Sequence, residues 1–210
     1  MPKPTFFNLP PEKARRIEEA ALDEFTEHAF KAASINRIVA RADIAKGSFY
    51  QYFHDKKDLY KHTINQIVAQ KLASFSSVLN DSGSTDFFSQ LRMLYQAGLR
   101  FTRENPRLQK IGDQLLRDRN SPVYEELVQE NLHHSDQIMQ EMIRKGIDQG
   151  DLRPGLDIQL YAWLISRMNV LLSDYYLENV HPASEEVFME TVDKMIHFIA
   201  AGISQKEEMT

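Results

Sequence analysis

Apolar residues recur at intervals of three and four along almost the whole of this 210-residue chain. That spacing is one face of an α-helix. Period-two alternation, the mark of a half-buried strand, is absent, as are the Asn-Gly and Asp-Gly pairs that close hairpins. The chain is therefore read as all-α, and its breakers divide it into about nine helices. A first helix opens near Pro10-Pro11-Glu12 with the inner stripe Ile17, Ala20, Ala21, Phe25 and ends near His28-Ala29. Proline suits a first helical turn and glutamate its positive end. Ser34 announces a short second helix as N-cap, and a third covers about 45–53. Asp55, with Asp58 three residues on, caps a fourth that runs to about 79. Asn80-Asp81-Ser82-Gly83-Ser84 is a loop. The later helices span about 85–104, 107–119, 122–149 (closed by Gly150), 156–178 and 184–203. Asn105-Pro106, the turn Arg153-Pro154-Gly155 and Asn179-Val180-His181-Pro182 separate them.

Several functions are excluded early. There is no cysteine, which removes disulfides, thiolate metal sites and cysteine nucleophiles. No apolar run approaches about 18 residues, so no membrane span is expected. The segment Met1-Pro2-Lys3-Pro4-Thr5-Phe6-Phe7 is too short and proline-broken for a signal peptide. The expected location is cytoplasmic. No paired acid/base set, Ser/His/Asp order or phosphate-cradling glycine loop is evident, so neither an enzyme nor a cofactor is expected. His133-His134 with Asp136 could suggest a metal, but adjacent helical residues point about 100° apart and chelate poorly. No metal site is expected.

The informative stretch is 34–56. The second helix carries Ile35, Ile38, Val39 and Ala42 on one face, and a turn of about three residues joins it to the third. This is the helix-turn-helix arrangement, whose second helix can enter a DNA major groove. On a wheel of about 100° per residue, Phe49 and Phe53 share the inner side. Gly47, Ser48 and Gln51 face outward, and Tyr50 and Tyr52 lie on the two flanks. Small outer groups let a helix approach base edges, and two flanking phenols can each reach a phosphate. Lys46 can bond guanine O6 or N7. Gly47 costs about 1 kcal/mol against alanine inside a helix, and close backbone approach to another molecule explains retaining it. The helix starts at Ser34 and Asp55 offer N–H groups to phosphates, with Lys56 beside the second. Each feature has a plainer alternative. The aromatic cluster can be core, Gly47 a turn residue, and Lys56-Lys57 a solvated pair; the combination is more specific than its parts.

Taken together, residues 12–61 resemble the DNA-binding domain of the TetR/AcrR family of bacterial transcriptional regulators. The resemblance lies in Ile17-x-x-Ala20-Ala21-x-x-x-Phe25, in Ser34-Ile35-x-x-Ile38-Val39 and above all in Lys46-Gly47-Ser48-Phe49-Tyr50-Gln51-Tyr52-Phe53-x-x-Lys56-x-x-Leu59. It implies a DNA-binding domain over 1–62 and a helical effector-binding and dimerisation domain over 63–210. Ser34 would cap the second helix near a phosphate, and Asn36 would point toward DNA. Lys46, Gly47, Ser48 and Gln51 would face base edges, and Tyr50, Tyr52 and Lys56 would bind phosphates. The chain departs from the family pattern at Ala29 and Asp43, often glycine, and at Ala45, often serine or threonine. Asp43 must then end the second helix without glycine's freedom at positive φ.

The resemblance also implies a homodimeric regulator, expected to be a repressor released by a small molecule, reading a near-palindromic operator in double-stranded DNA. Wide apolar stripes on the last two helices agree with a two-fold four-helix interface: Leu160, Tyr161, Leu164, Ile165, Met168, Leu171, Leu172, Tyr175, then Val187, Phe188, Val192, Met195, Ile196, Ile199, Ile203. The alternative is that they close the monomer's own core. Phe101, Tyr124, Met139, Met142, Trp163 and Met168 are candidates to line a pocket for an apolar or aromatic effector, although such residues are also ordinary core. A helical protein-binding scaffold that does not use DNA is the competing reading.

Charge fits a local reading head. The chain carries 25 basic and 30 acidic residues, net −5, which argues against an indiscriminate polyanion binder. Residues 31–62, however, hold 7 basic against 3 acidic groups.

Overall fold

Proline and aspartate or serine open most of the helices in the computed structural model, which describes residues 1–80, 85–118, 120–179 and 184–205. Eleven helices occur among the described residues: α1 (Pro4–Phe7), α2 (Pro11–Glu27), α3 (Ile35–Arg41), α4 (Lys46–Tyr52), α5 (Lys56–Ser74), α6 (Ser76–Leu79), α7 (Phe87–Glu104), α8 (Pro106–Arg117), α9 (Pro122–Gln149), α10 (Ile158–Asn179) and α11 (Glu185–Ile203). Among the same residues there is no strand, only an isolated antiparallel bridge between Leu152 and Ser204. Most of the expected loops 80–84 and 179–182 lies outside the described residues, at 81–84 and 180–183.

The expected count of nine is short by two. α1 is a single turn with Pro4 in its first positions and Phe6 buried; four residues are too few to show periodicity. The fourth expected helix breaks at Phe75, whose ψ of −6° is off the helical value, and the one-turn α6 follows. No residue type near Phe75 announces this break.

The caps explain the boundaries. Asp55 Oδ1 accepts from Asp58 N at 2.9 Å, and Asp58 Oδ2 reaches back to His54 N at 3.1 Å. This closes a variant capping box at α5. Asp86, Ser121, Asp157 and Ser184 cap α7, α9, α10 and α11 in the same way. Gly150 ends α9 at φ +82°, where a Cβ would be strained.

Contacts divide the chain into two compact units. The first comprises residues 1–73 and 102–128, and so takes in more chain than the 1–62 segment. Its core gathers Ile17, Ala21 and Phe25 of α2, Ile38 and Val39 of α3, Phe49 of α4 with Phe53, and Leu59, Tyr60 and Ile64 of α5. Ile111 of α8 and Val123 and Leu127 of α9 join the same cluster. Phe25, Phe49 and Phe53 have no exposed surface, and each such burial stabilises by about 1.5–3 kcal/mol. Burial pushes the Tyr60 phenol up to about 12, with Asp118 adding to the effect.

The second unit comprises 74–101 and 129–210. Phe87 and Leu91 of α7, Met139, Met142 and Ile143 of α9, Ala162, Ile165 and Leu172 of α10, and Val192, Met195, Ile199 and Ile203 of α11 form its core. Arg92 Nε meets Asp193 Oδ1 at 2.6 Å. The end of α11 is tied to the α9–α10 turn by Arg153 N donating to Ile203 O at 3.1 Å and Gln205 N to Asp151 O at 2.9 Å.

The expected stripes on α10 and α11 divide between two surfaces. Ile165 and Leu172, with most of the α11 stripe, close the unit's own core. Leu160, Leu164, Leu171 and Tyr175 stay exposed, as do Trp163, Val187 and Phe198. Leu160 and Leu171, Leu164 and Tyr175, and Val187 and Phe198 are each eleven residues apart. At about 3.6 residues per turn this is close to three whole turns, so each pair shares a face. No helix among the described residues is long and apolar enough to cross a membrane.

Candidate nucleic-acid interface

Two helices too short to stand alone form this site, and tertiary contacts hold them. A seven-residue helix is unstable in isolation. Neither α3 nor α4 has a side-chain cap: Ser34 and Ala45 occupy the cap positions, but neither side chain accepts an N–H. For Ala45 this follows from its missing hydroxyl. Ser34 instead uses its backbone, N–H donating to Glu24 Oε1 at 2.7 Å.

Glu24 is the hidden centre of this corner. Its side chain is fully buried on α2 and also accepts from Arg37 of α3, Nε at 2.9 Å and Nη2 at 2.5 Å. Arg37 Nη2 donates as well to Ala32 O at 2.9 Å. Burial alone would raise the Glu24 carboxyl, but the Arg37 bonds and the Ser34 N–H outweigh it and hold it below its ordinary value. A second, exposed pair, Arg41 Nη2 to Glu27 Oε2 at 2.6 Å, bridges the same helices. Neither pair is legible in the sequence, because partners 13 and 14 residues apart on different helices leave no periodic trace.

The turn between α3 and α4 is a Schellman motif with aspartate in glycine's place. Ile44 N donates to Val39 O at 3.1 Å and Asp43 N to Ala40 O at 3.3 Å. Asp43 sits at φ +52°, the one non-glycine residue at positive φ among those described. This is the conformation the departure from glycine requires.

α4 then sorts its side chains. Phe49, Tyr52 and the following Phe53 are buried; Lys46, Gly47, Tyr50 and Gln51 are exposed, and Ser48 is half-buried. A Cβ built on Gly47 meets nothing within 4 Å, so no internal contact requires glycine there. Tyr50 is 44% exposed. Tyr52 departs from the expected open flank: it is 5% exposed, edge-on to Phe6 at 6.3 Å, with the Lys13 ammonium 5.6 Å from its ring centre. The wheel missed this because Phe6 lies outside the helices it compared.

Ser34 and Asn36 at the start of α3, Lys46 and Tyr50 on α4 and Lys56 on α5 line one open notch, with Ala33 and Ile35. Five of the nine expected DNA-facing residues are thus brought together. Lys56 is more committed than a surface lysine. Its Nζ donates to Ala33 O at 2.7 Å and Lys31 O at 3.2 Å and lies 4.8 Å from the Phe30 ring centre. Burial lowers its pKa. An ammonium has three N–H groups, so one remains for an anion.

The six candidate effector residues divide between the two compact units. Tyr124 belongs to the first compact unit and the other five to the second. There Met139 and Met142 are core, Met168 packs against that core, and Phe101 is buried. Trp163 is 49% exposed, with the Arg167 guanidinium 4.7 Å from its ring centre. That guanidinium also binds Asp136.

Comparison with known proteins places these features in context. The family profile described as bacterial regulatory proteins, tetR family, matches residues 17–63. The crystal structure of a TetR family transcriptional regulator from Chloroflexus aurantiacus J-10-FL is 35% identical, with 98% of this chain and all of that one aligned at a TM-score of 0.62. An HTH-type transcriptional regulator of Staphylococcus aureus (strain USA300) is 27% identical over 177 residues, 81% of this chain and 92% of that protein. SmeT, the repressor of the Stenotrophomonas maltophilia multidrug efflux pump SmeDEF, shares the fold at 20% identity and a TM-score of 0.70, over 92% of this chain and 91% of its own.

Proposed function

Because the chain belongs to the TetR family of transcriptional regulators, we propose that α4 is its recognition helix and that the protein is a homodimeric repressor released by a small molecule. The observation that carries the reading is the division of α3 and α4 into a buried apolar face and an open face bearing Asn36, Lys46, Gly47, Tyr50 and Gln51. Lys46, Gly47, Ser48 and Gln51 address base edges. Ser34, Tyr50 and the remaining N–H of Lys56 address phosphates, and Asn36 stands beside them. The Tyr52 ring supports the helix from within.

Two such heads read the half-sites of a near-palindrome, spaced by about one helical turn, ~34 Å, or a multiple of it. The exposed apolar faces of α10 and α11 support dimerisation through these helices, since side chains like Leu171 at 64% and Phe198 at 72% exposure form a patch that a second copy can cover. The effector is apolar or aromatic and acts by preferring the conformation that does not fit DNA.

The test is binding to duplexes selected by the protein itself from a random-sequence pool. Retardation should be sequence-specific and fall with salt. Tyr50→Phe should weaken binding across sequences, and Gln51→Ala should change the preferred sequence. Wild-type behaviour of both variants sinks the docking, and no enrichment at low salt favours a protein-binding scaffold.

A further inference from the structure

A seven-residue helix leaves its last carbonyls without helical partners, because the chain ends before N–H groups four residues on can reach them. In α4 those are the carbonyls of Tyr50, Gln51 and Tyr52, and all three are met by one short segment. Lys3 Nζ donates to Tyr50 O at 2.7 Å, the Thr5 hydroxyl to Gln51 O, and Lys3 N to Tyr52 O at 2.7 Å. Phe6 anchors that segment at 3% exposure, its ring centre 5.0 Å from that of Phe53 and 5.3 Å from that of His62. The Lys3 charge also sits at the negative end of the α4 dipole, where a cation is favoured.

We propose that residues 2–9 form a positioning clamp for the recognition helix, with Lys3 and Thr5 fixing its C-terminal turn and Phe6 locking the clamp in place. The inference rests on the reading of α4 as the DNA-reading helix. Tyr50 and Gln51, assigned to phosphate and base, hang from the residues whose carbonyls the clamp holds. Freeing that turn changes where both side chains point without removing either. The clamp lies outside the stretch 17–63 that matches the family profile.

The experiment uses the full chain with Thr5→Val and with Lys3→Met/Thr5→Val, against Thr5→Ser as the conservative control. Amide hydrogen exchange is measured without DNA. Loss of two bonds of ordinary strength should speed exchange of residues 50–53 by about tenfold, and Thr5→Ser should restore the wild-type rate lost in Thr5→Val. With DNA, the probes are a duplex selected by the wild-type chain and poly(dI-dC). The double variant should bind the selected duplex about tenfold less tightly, keep its poly(dI-dC) affinity within about twofold, and keep the wild-type slope of log K against log salt.

A slope smaller by about one, with equal loss on both DNAs, makes Lys3 a phosphate ligand and overturns the clamp. Unchanged exchange at 50–53 overturns it too. Thr5→Val loses a single bond at an exposed residue and so keeps the measurement open should the double variant fail to fold. If exchange quickens but neither Gln51→Ala nor the clamp variants alter sequence preference, the assignment of α4 as the reading helix is what fails.

Discussion

Replacing Gly47 by alanine should move stability and DNA affinity in opposite directions. In the free protein an added Cβ meets no atom within 4 Å, so the methyl causes no clash. What remains is helix propensity, about 1 kcal/mol in favour of alanine at an interior position. Gly47 is the second residue of a seven-residue helix, where a first-turn residue realises part of that, about 0.5 kcal/mol. For a chain of this size such a gain raises Tm by about 1–2 °C. On DNA the same methyl stands between the α4 backbone and the groove. A loss of at least tenfold in affinity for the selected duplex, about 1.4 kcal/mol, is expected. Thermal unfolding followed by circular dichroism and binding titration at fixed salt measure the two effects. Unchanged affinity would show that the Gly47 backbone does not approach DNA. A lowered Tm would show that the space beside it is not free.

The Glu24–Arg37 pair makes an ordered prediction. Arg37→Met strands a carboxylate of zero exposure, whereas Glu24→Gln leaves an arginine 45% exposed that can turn to water. Arg37→Met should therefore cost more, about 3 kcal/mol against about 1.5 kcal/mol in urea unfolding, and the reverse order refutes the burial argument. The same carboxyl gives a pH dependence. Its folded pKa lies below the ordinary 4.5, so its stabilisation is complete above that value and is lost as pH falls through the folded pKa. The acid loss of stability below pH 4.5 should be shallower in Glu24→Gln, and equal slopes would refute it. Leu171→Asp alters a side chain outside the core, so its effect on the fold should stay within about 0.5 kcal/mol. Sedimentation should find the chain monomeric and its operator affinity reduced; an unaltered dimer would place the interface elsewhere.

The long amphipathic helices were legible in the sequence because one buried stripe per helix repeats over several turns. The inner residues Ile17, Phe25, Ile38, Phe49 and Phe53 were read from that pattern and are buried. Asp43 was legible for a different reason: the resemblance often has glycine at this position, and the φ of +52° is a value glycine adopts freely. What escaped depends on contacts across the chain. α1 exists because Phe6 finds Tyr52, Phe53 and His62, and the same contacts draw Tyr52 inward. Glu24 is buried only because Arg37 and Ser34, ten and more residues further along the chain, are brought to it. On α10, periodicity marked a wide stripe but not which edge of it would meet the unit's own core.

The membership of Ile111, Val123 and Leu127 in the first core bears on how such a protein can be recombined. A fragment ending at residue 62 would lose three buried members of this core supplied from 102–128, together with Leu115, which packs against it. A chimaera that transplants this reading head onto another sensory domain must therefore carry the 102–128 segment with it, or supply equivalent side chains. The same requirement limits domain shuffling in evolution: the head can be exchanged only together with a stretch of chain that lies inside the helical domain's own sequence.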